Sequence, residues 1–470
     1  MSLIIGIHMG HDASVTLLKD GKQLLSMSEE KLSRIKAHYG FPRKTLSYVL
    51  NKFNLTPDDI DTVAIDTFDI LKLVGPEKVK LRFKEGIKPK DISSKIINAK
   101  KLLNYLVGTS TSSKKVKKTS EQAEIEFYKQ MLKLGFQKDK IKFYDHHFCH
   151  ATSAFYPSPF SEAIVFTSDG RGDKISATIS KAKNNKIETI SQVGELESIG
   201  QFYSAVTKFL GFKPLRHEGK ITGLAAYGNK EKLGNKFIQR IKWNEDNTYT
   251  FELPEKYECR DINQLKEFIK THSLDLKDKV ILKDQVLRSD VLITLKWYGQ
   301  LAYLKEVTAG FTKEEIAAGV QYFAEEISVE YLKRTIKEFS LPVVLAGGVF
   351  ANVRINQKIR EIPGVENVFV QPAMGDDGLS MGAALAAYYE NASDAELKKK
   401  PDERPALLND TFYGPSFDRS EIIDYLEKNN IKYTVSPNIE EEVGKWIHEG
   451  KIIGLFQGRL EYGPRALGHR

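Results

Sequence analysis

The chain has 470 residues, of which 41% are hydrophobic and 28% are charged, and its formal net charge is +8. This length exceeds that of one hydrophobic core, so we expect two domains or more. No apolar run approaches the ~18 residues that cross a bilayer, and Met1–Gly10 lacks the pattern of a signal peptide. Only Cys149 and Cys259 are present, which excludes a disulfide-rich secreted protein. We expect a cytoplasmic protein that has no membrane partner.

The first thirty residues predict a meander of three strands. LIIGIHMG, ASVTLLKD and KQLLSMSEE each have strand character, and the Asp20–Gly21 pair forms a tight turn between the second and the third. A short polar loop that contains His11 and Asp12 separates the first two strands. We treat these two residues as candidates for binding a substrate or cofactor, although each taken alone is more often structural.

A lysine-rich stretch, 78–118, follows. Its composition fits either a site for RNA or another anion, or a solvated surface insertion. It has few of the aromatic side chains on which RNA bases stack, which favours the solvated insertion. We therefore expect no nucleic-acid partner.

Three histidines stand close together in YDHHFCHATSAFYPSPF, residues 144–160. His146 and His150 are four residues apart, so a helix places both rings on one face, where they can bind one metal ion. Such histidines can also merely cap a helix or form hydrogen bonds. His147 points elsewhere and is a candidate for contacting substrate or phosphate.

The strand pattern of the first thirty residues returns at 162–193. EAIVFTSDG, KISATISKA and IETISQV again predict a strand, a polar loop and two further strands, and helical segments follow both copies. The repeat predicts a duplicated α/β domain whose two hairpin loops face each other across a cleft. This is the architecture of the actin, sugar kinase and Hsp70 ATPase superfamily.

Two further strand–loop–helix units are predicted between residues 341 and 389. LPVVLAGGVFANVRIN has Gly347 and Gly348 after its strand, where the lack of a Cβ lets a nucleotide approach the backbone. Asp376 lies in the loop of QPAMGDDG, and Asp169 lies in TSDGRGD of the second hairpin. Ligands of such sheets bind beyond the strand ends. Two histidines with one or two aspartates suit iron(II), manganese or zinc.

Weaker candidates lie in two other polar segments. SRIKAHYGFPR contains Arg34, Lys36 and His38, and HEGKITGLAAYG combines small residues with Lys220. The small residues around Lys220 predict a buried lysine that an anion approaches closely.

The pattern changes at residues 392–405, ASDAELKKKPDERP, which we interpret as a linker. Beyond it we expect a smaller, incomplete α/β domain, 406–470. It would consist of helices at Ser420–Asn429 and Ile439–His448, a strand KIIGLFQG, and the final motif GRLEYGPRALGHR.

The whole chain resembles the O-carbamoyltransferase family of nodulation-factor and antibiotic biosynthesis. The resemblance is carried, in family order, by HDAS, SEEKLSRIKAHYGFPR, DHHFCHATSAFYPSPF, SDGRGD, IGQFYSAVTKFLGF, HEGKITGLAAYG, LAGGVFANVRIN, QPAMGDDG and GRLEYGPRALGHR. It implies an actin-like domain with a metal site, 1–391, and a second domain of the threonylcarbamoyl-adenylate synthase type.

The resemblance also implies a two-step reaction. Carbamoyl phosphate and ATP (with Mg²⁺) are converted to carbamoyladenylate in the second domain, with release of phosphate and pyrophosphate. The first domain then transfers the carbamoyl group to a hydroxyl of a small molecule, often a sugar.

The resemblance assigns roles to individual residues. The metal ligands would be His146, His150 and Asp376, with Asp169 in the fourth position and iron(II) as the ion. His11 and Lys36 would contact the carbamoyladenylate. The residues near its adenosine would be Gly347, Gly348 and Asn352. The residues that handle carbamoyl phosphate and ATP would be Arg459, Arg465 and Arg470.

The family continues for about another hundred residues after GPRALG, so we expect either a fragment or a protein that lacks part of the second domain. Two alternatives stay open: a tRNA threonylcarbamoyladenosine transferase-like enzyme, and a nucleotide-binding relative that does not form the adenylate. The acceptor and the state of oligomerisation, including a homo-oligomer, are also open.

Overall fold

A computed structural model describes residues 2–68, 79–80, 82–84, 113–258, 288–337 and 340–469. Most of the lysine-rich stretch 78–118 lies outside these residues, as does Arg470. The described chain forms two five-stranded sheets and a separate two-stranded ribbon.

The first sheet contains β1 (Leu3–His8), β2 (Ser14–Lys19), β3 (Lys22–Ser28), β4 (Thr62–Ile65) and β5 (Ile141–Phe143). The second sheet contains β6 (Glu162–Gly172), β7 (Ile175–Lys183), β8 (Lys186–Gly194), β11 (Val343–Ala346) and β12 (Val368–Val370). The ribbon pairs β9 (Ile241–Trp243) with β10 (Tyr249–Phe251).

The two sheets have the same topology. The first has the order β3-β2-β1-β4-β5, and the second has the order β8-β7-β6-β11-β12. In each sheet an antiparallel meander supplies three strands, and two parallel strands join the first strand of that meander. The predicted duplication of an α/β unit is therefore confirmed, with both meanders where the strand and turn pattern placed them.

The longer helices are α2 (Arg43–Lys52), α3 (Ser113–Lys133), α4 (His146–Phe155), α5 (Ile199–Phe209), α6 (Glu218–Ala225), α7 (Glu231–Ile238), α8 (Arg288–Val307), α9 (Lys313–Thr335), α10 (Val353–Arg360), α11 (Leu379–Glu390), α13 (Arg419–Lys428) and α14 (Ile439–His448). The one-turn helices α1 (Glu30–Ser33) and α12 (Asp394–Leu397) complete the set within the described residues. None of the helices in this part of the chain is both long and apolar enough to cross a membrane.

Helices α4 and α11 pack against each other in a buried layer that contacts both sheets. Small residues make this close packing feasible. Alanine, glycine and serine fill α11, and a Cβ on Gly382 would overlap the backbone carbonyl of Cys149 in α4. A Cβ on Gly6 of β1 would likewise overlap the carbonyl of Ser380. The layer matters for function because α4 carries the paired histidines and α11 directly follows Asp376.

The segment 392–405, predicted as a linker, is held firmly against the first part of the chain. Arg404 is 4% exposed, and its guanidinium donates hydrogen bonds to the carbonyls of Phe155, Ser158 and Phe160. The amide of Asn185 donates to the carbonyls of Glu396, Leu397 and Lys399. The division into domains at this segment stays a prediction.

The final part of the chain contains both predicted helices, α13 and α14, but the predicted strand at 451–458 is wrong. A strand needs a neighbour that pairs with its backbone groups, and in the described chain none runs beside this stretch. The apolar side chains of Ile452, Leu455 and Phe456 are accordingly exposed.

We expect Gly382→Ala to lower the free energy of unfolding by about 1–3 kcal/mol, because the added methyl forces α4 and α11 apart. Gly223→Ala is the matched control, since Gly223 lies in helix α6 with no atom within 4 Å of an added Cβ. The control should leave stability unchanged or raise it slightly. Urea unfolding followed by circular dichroism compares the two, and equal midpoints would contradict the close packing.

Candidate functional site

Four side chains from three distant parts of the chain converge beyond the strand ends of both sheets. His146 and His150 lie one turn apart on α4, whose first turn is capped by the side chain of Asp145. Asp169 lies near the end of β6, at the irregularity in its pairing with β7. Asp376 begins the short turn that leads into α11. Each of the four can offer one ligand atom, and these atoms all lie within 4.8 Å of one another.

The histidine and carboxylate atoms face each other directly. Nε2 of His146 lies 3.6 Å from Oδ2 of Asp169 and 3.8 Å from Oδ1 of Asp376. Nε2 of His150 lies 3.9 Å and 3.7 Å from the same two oxygens. The distances are too long for hydrogen bonds, so the four atoms surround a common space.

The histidine nitrogens in this cluster lack partners in the described chain. Nε2 of His146 and both ring nitrogens of His150 are buried and form no hydrogen bond. A buried polar atom without a partner is costly, and two such nitrogens beside two carboxylates fit a metal ion. Two nitrogen and two oxygen donors suit iron(II), manganese or zinc.

The electrostatics of the cluster favour a positive charge within it. Burial lowers the pKa of His146, but its interactions with Asp169 and Asp376 outweigh burial and raise that pKa to about 10. Burial raises the pKa of Asp169, but the rings of His146 and His150 overcome this and lower it well below its usual range. Two buried carboxylates therefore require cations, which either protonated histidines or a metal ion can supply.

Sequence reasoning missed a supporting layer of two buried residues. Asp66, directly after β4, accepts a hydrogen bond from Nδ1 of His8 at 2.8 Å and lies 3.8 Å from Nδ1 of His146. His8 ends β1, and its Nε2 lies 2.9 Å from the carbonyl of His11. In the sequence, the only feature that could have indicated Asp66 or His8 as a site residue was its position at the end of a strand.

Asp173 is a third missed residue. One of its carboxylate oxygens accepts hydrogen bonds from Thr67 Oγ1 and the amide of Phe68, and the other accepts from the amide of His146 at 3.0 Å. The hairpin of the second sheet is thereby joined both to the first sheet and to the start of α4.

The glycine pair contacts the cluster through Asp169. The amide of Gly348 donates to Oδ1 of Asp169 at 3.1 Å, so this carboxylate turns its other oxygen toward the histidines. At Gly347, φ is +104° and a Cβ would overlap the carbonyl of Ser168. The close approach that requires Gly347 is thus made by the protein's own β6 strand.

The loop of the first hairpin reaches the same cluster. Nε2 of His11 lies 3.1 Å from Oδ2 of Asp376, and its Nδ1 lies 2.9 Å from Oδ2 of Asp12. The side chain of His11 is 39% exposed, so it borders both the cluster and the solvent. Lys36 is more remote: its ammonium is 75% exposed and pairs with Glu30 at 2.8 Å. The two hairpin loops therefore meet the same cluster, one through His11 and the other through Asp169.

His147 does not fit the role that we predicted for it. It is 1% exposed, with Nδ1 2.8 Å from Oγ1 of Thr167 and Nε2 3.1 Å from the carbonyl of Ile175. One residue along a helix turns about 100°, which directs this ring to the second sheet instead of the cluster. Both nitrogens are engaged, so we remove His147 from the candidate catalytic set.

Lys220 and Asn352 are two further candidates. Lys220 lies on the outer side of α6 and is exposed, so the inference of a buried lysine is wrong. Asn352 caps α10 through its Oδ1, and its amide donates to Oε1 of Gln321 at 2.7 Å. It belongs to a hydrogen-bonded group with Thr222 and Tyr203 beside the glycine turn.

The arginines of the last motif have separate environments. Arg459 donates to the carbonyls of Leu24, Tyr413 and Gly414, which anchors the segment and leaves little of this guanidinium for a phosphate. Arg465 is exposed and donates to the carbonyl of Ala351, next to the glycine turn. Arg470 lies outside the described residues.

Comparison with known proteins supplies independent information. A family model described as the carbamoyltransferase N-terminus matches residues 3–385. An uncharacterized protein of Methanocaldococcus jannaschii is 28% identical over the whole of this chain and 72% of its own length. Nodulation protein NolNO of Sinorhizobium fredii is 28% identical over 98% of this chain, which spans only 58% of that relative.

Among solved structures, this chain is similar to component A of the (R)-2-hydroxyglutaryl-CoA dehydratase of Acidaminococcus fermentans. The match covers 84% of this chain and 100% of the length of that protein. The TM-score is 0.41, and the sequence identity is 15%.

We expect Co²⁺ to raise the thermal unfolding midpoint, because an ion that binds only the folded state stabilises it. At an ion concentration of a hundred times the Kd, this adds ~2.7 kcal/mol to the free energy of unfolding. His150→Ala should abolish the rise, since it removes a ligand, while the exposed His448→Ala should retain it. Differential scanning fluorimetry with and without Co²⁺ measures this. Equal rises in all three proteins would place the ion elsewhere.

Proposed function

The chain belongs to the carbamoyltransferase family, and we propose that its first part, 1–391, transfers a carbamoyl group from carbamoyladenylate to a hydroxyl of a small molecule. The observation that carries this proposal is the cluster of His146, His150, Asp169 and Asp376, which lies within the matched family region. A cluster of buried, unpartnered histidine nitrogens has no purpose in packing, but it suits a metal-assisted group transfer.

The proposed transfer forms one bond and breaks one bond at the carbamoyl carbon. The acceptor oxygen bonds to this carbon and loses its proton to solvent, while the bond from the carbon to the AMP phosphate oxygen breaks. A divalent ion held by the four ligands, with iron(II) as the proposed ion, would act as a Lewis acid toward the carbamoyl oxygen.

The protein's own residues prepare the site for this step. Gly348 holds Asp169 by one oxygen, so its other oxygen faces the histidines. Asp173 holds the first turn of α4 through the amide of His146, and the carboxylate of Asp66 lies 3.8 Å from Nδ1 of the same residue. His11 borders both the cluster and the solvent, with its ring between the carboxylates of Asp12 and Asp376, and we propose that it contacts a bound adenylate from this edge.

The nucleotide would lie along the glycine turn at Gly347–Gly348, where Asn352 and its amide partner Gln321 form one wall. Arg465 projects beside this turn, and its exposed guanidinium suits a phosphate group. We assign Asp12, Lys36 and Lys220 to more exposed parts of the same proposed region.

Formation of carbamoyladenylate from carbamoyl phosphate and ATP is a proposal for the whole protein. The part of the chain that the resemblance assigns to this step, 406–470, contains α13 and α14 but no strand in its described residues. The transfer step can therefore be tested alone, with preformed carbamoyladenylate.

We expect Asp376→Asn to reduce the release of AMP from carbamoyladenylate by at least about a hundredfold when a hydroxylated sugar is present as acceptor. The reason is that the variant loses a charged metal ligand. His448→Ala is the control, since it changes an exposed histidine on α14. Chromatographic measurement of AMP and of the carbamoylated sugar follows both products.

Undiminished transfer by Asp376→Asn would refute the role of the cluster. Pyrophosphate release from ATP that strictly depends on carbamoyl phosphate would show that this chain also forms the adenylate. Tight, salt-dependent binding of tRNA together with no carbamoyl transfer would favour a tRNA-modifying enzyme instead.

A further inference from the structure

The loop that carries Asp376 runs from β12 to α11, and the last motif of the chain lies directly behind it. The arginines of this motif, GRLEYGPRALGHR, were the predicted binding residues, but its buried residues are Glu461 and Tyr462. Tyr462 is 5% exposed and packs in the same apolar cluster as Ala373, Leu379 and Met381. A side chain from the end of the sequence thus forms part of the core beneath the metal-binding loop.

The hydroxyl of Tyr462 contacts the loop at the residue next to Asp376. It donates a hydrogen bond to the carbonyl of Asp377, and Ser14 Oγ donates to the same carbonyl at 2.8 Å. Ser380, in the first turn of α11, lies 3.5 Å from the hydroxyl of Tyr462 and 2.9 Å from Ser14 Oγ. These hydroxyls fix the backbone on the carboxyl side of Asp376.

Gly463 supports the other end of the loop. It has φ of +124°, and a Cβ on it would lie 2.7 Å from the carbonyl of Pro372. A side chain at this position would therefore push against the backbone that leads to Asp376. Gly468, five residues later, also has positive φ at +113°, but nothing lies within 4 Å of its Cβ position.

The segment that carries Tyr462 is itself firmly held. The amides of Leu460 and Tyr462 donate to the carbonyls of Pro415 and Thr411, at 2.9 Å and 2.8 Å. The segment 411–415 is joined to β3 by the bond from the amide of Ser26 to the carbonyl of Tyr413. Arg459 adds its bonds to three carbonyls, including Leu24 of β3. The segment 459–463 is thus attached to the first sheet.

We propose that Tyr462 is a positioning residue for the metal centre: its hydroxyl and the adjoining Gly463 hold the loop 372–378 so that Asp376 meets His146 and His150. This inference rests on the proposed metal-dependent function and adds to it a residue from outside the matched family region, 3–385. A change in the last segment of the chain is then transmitted to a metal ligand.

Titration with Co²⁺, followed by its visible absorption, tests this role without relying on activity. Tyr462→Phe keeps the ring and removes only the hydroxyl, and we expect about a tenfold loss of Co²⁺ affinity, as for other groups that orient a ligand. The matched control is Tyr389→Phe. Tyr389 is also buried in the central layer, and its hydroxyl has no hydrogen-bond partner in the described chain. This control should bind Co²⁺ like the wild type.

Unfolding of the metal-free proteins separates positioning from general loss of stability. Both tyrosine variants should unfold near the wild-type midpoint when no metal is present, while only Tyr462→Phe should show less stabilisation by Co²⁺. A second pair gives an independent test: Gly463→Ala should weaken Co²⁺ binding more than Gly468→Ala, although both strain a positive φ.

The outcomes distinguish this inference from the function on which it rests. Wild-type affinity in both Tyr462→Phe and Gly463→Ala would overturn the role of Tyr462 and leave the proposed metal centre intact. A wild-type protein that binds no Co²⁺ would overturn the metal centre and this role together.

Discussion

The burial of two carboxylates beside two histidines is the constraint on which the rest of the structure depends. Asp169 and Asp376 lie away from bulk water. In this buried site their like charges repel strongly, and desolvation disfavours the charged form of both carboxylates. The arrangement is stable only if positive charge is present among them. Protons on the histidines can supply it, but a divalent ion supplies it together with the ligand geometry that the four side chains already share.

The duplicated fold explains how such distant residues meet. Each half contributes a hairpin loop, one with His11 and the other with Asp169, and the buried layer of α4 and α11 lies between the sheets. Close packing of this layer requires small residues such as Gly6 and Gly382, because the histidines on α4 must stand within a few ångströms of the loop before α11. The close packing of this layer and the geometry of the site therefore both require small residues at these positions.

Much of this arrangement is readable from the sequence. Segments with strand character and the turns between them located both meanders, and the four-residue spacing of His146 and His150 placed them on one helix face. What could not be read depends on tertiary neighbours. Asp66 and His8 are single polar residues at strand ends, and nothing in their local pattern separates them from ordinary turn formers. Tyr462 resembles any aromatic core residue until the loop in front of it is known.

The errors have the same origin. The spacing of the histidine motif shows that His147 leaves the face of the other two histidines, but it does not show that Thr167 and Ile175 engage its ring. The stretch 451–458 has strand composition, but a strand forms only where another strand runs beside it. Lys220 lies among small residues that predict burial, but α6 presents it to solvent. In each case the sequence pattern itself was identified correctly. The tertiary neighbours of the residue or segment then determined its actual structure.

The central claim is that His146, His150, Asp169 and Asp376 hold one metal ion. Anomalous diffraction at the iron absorption edge, from crystals of anaerobically prepared protein loaded with Fe(II), measures this directly. The account predicts one strong anomalous peak among these four side chains. A strong peak elsewhere on the protein, with no density among the four, would contradict it.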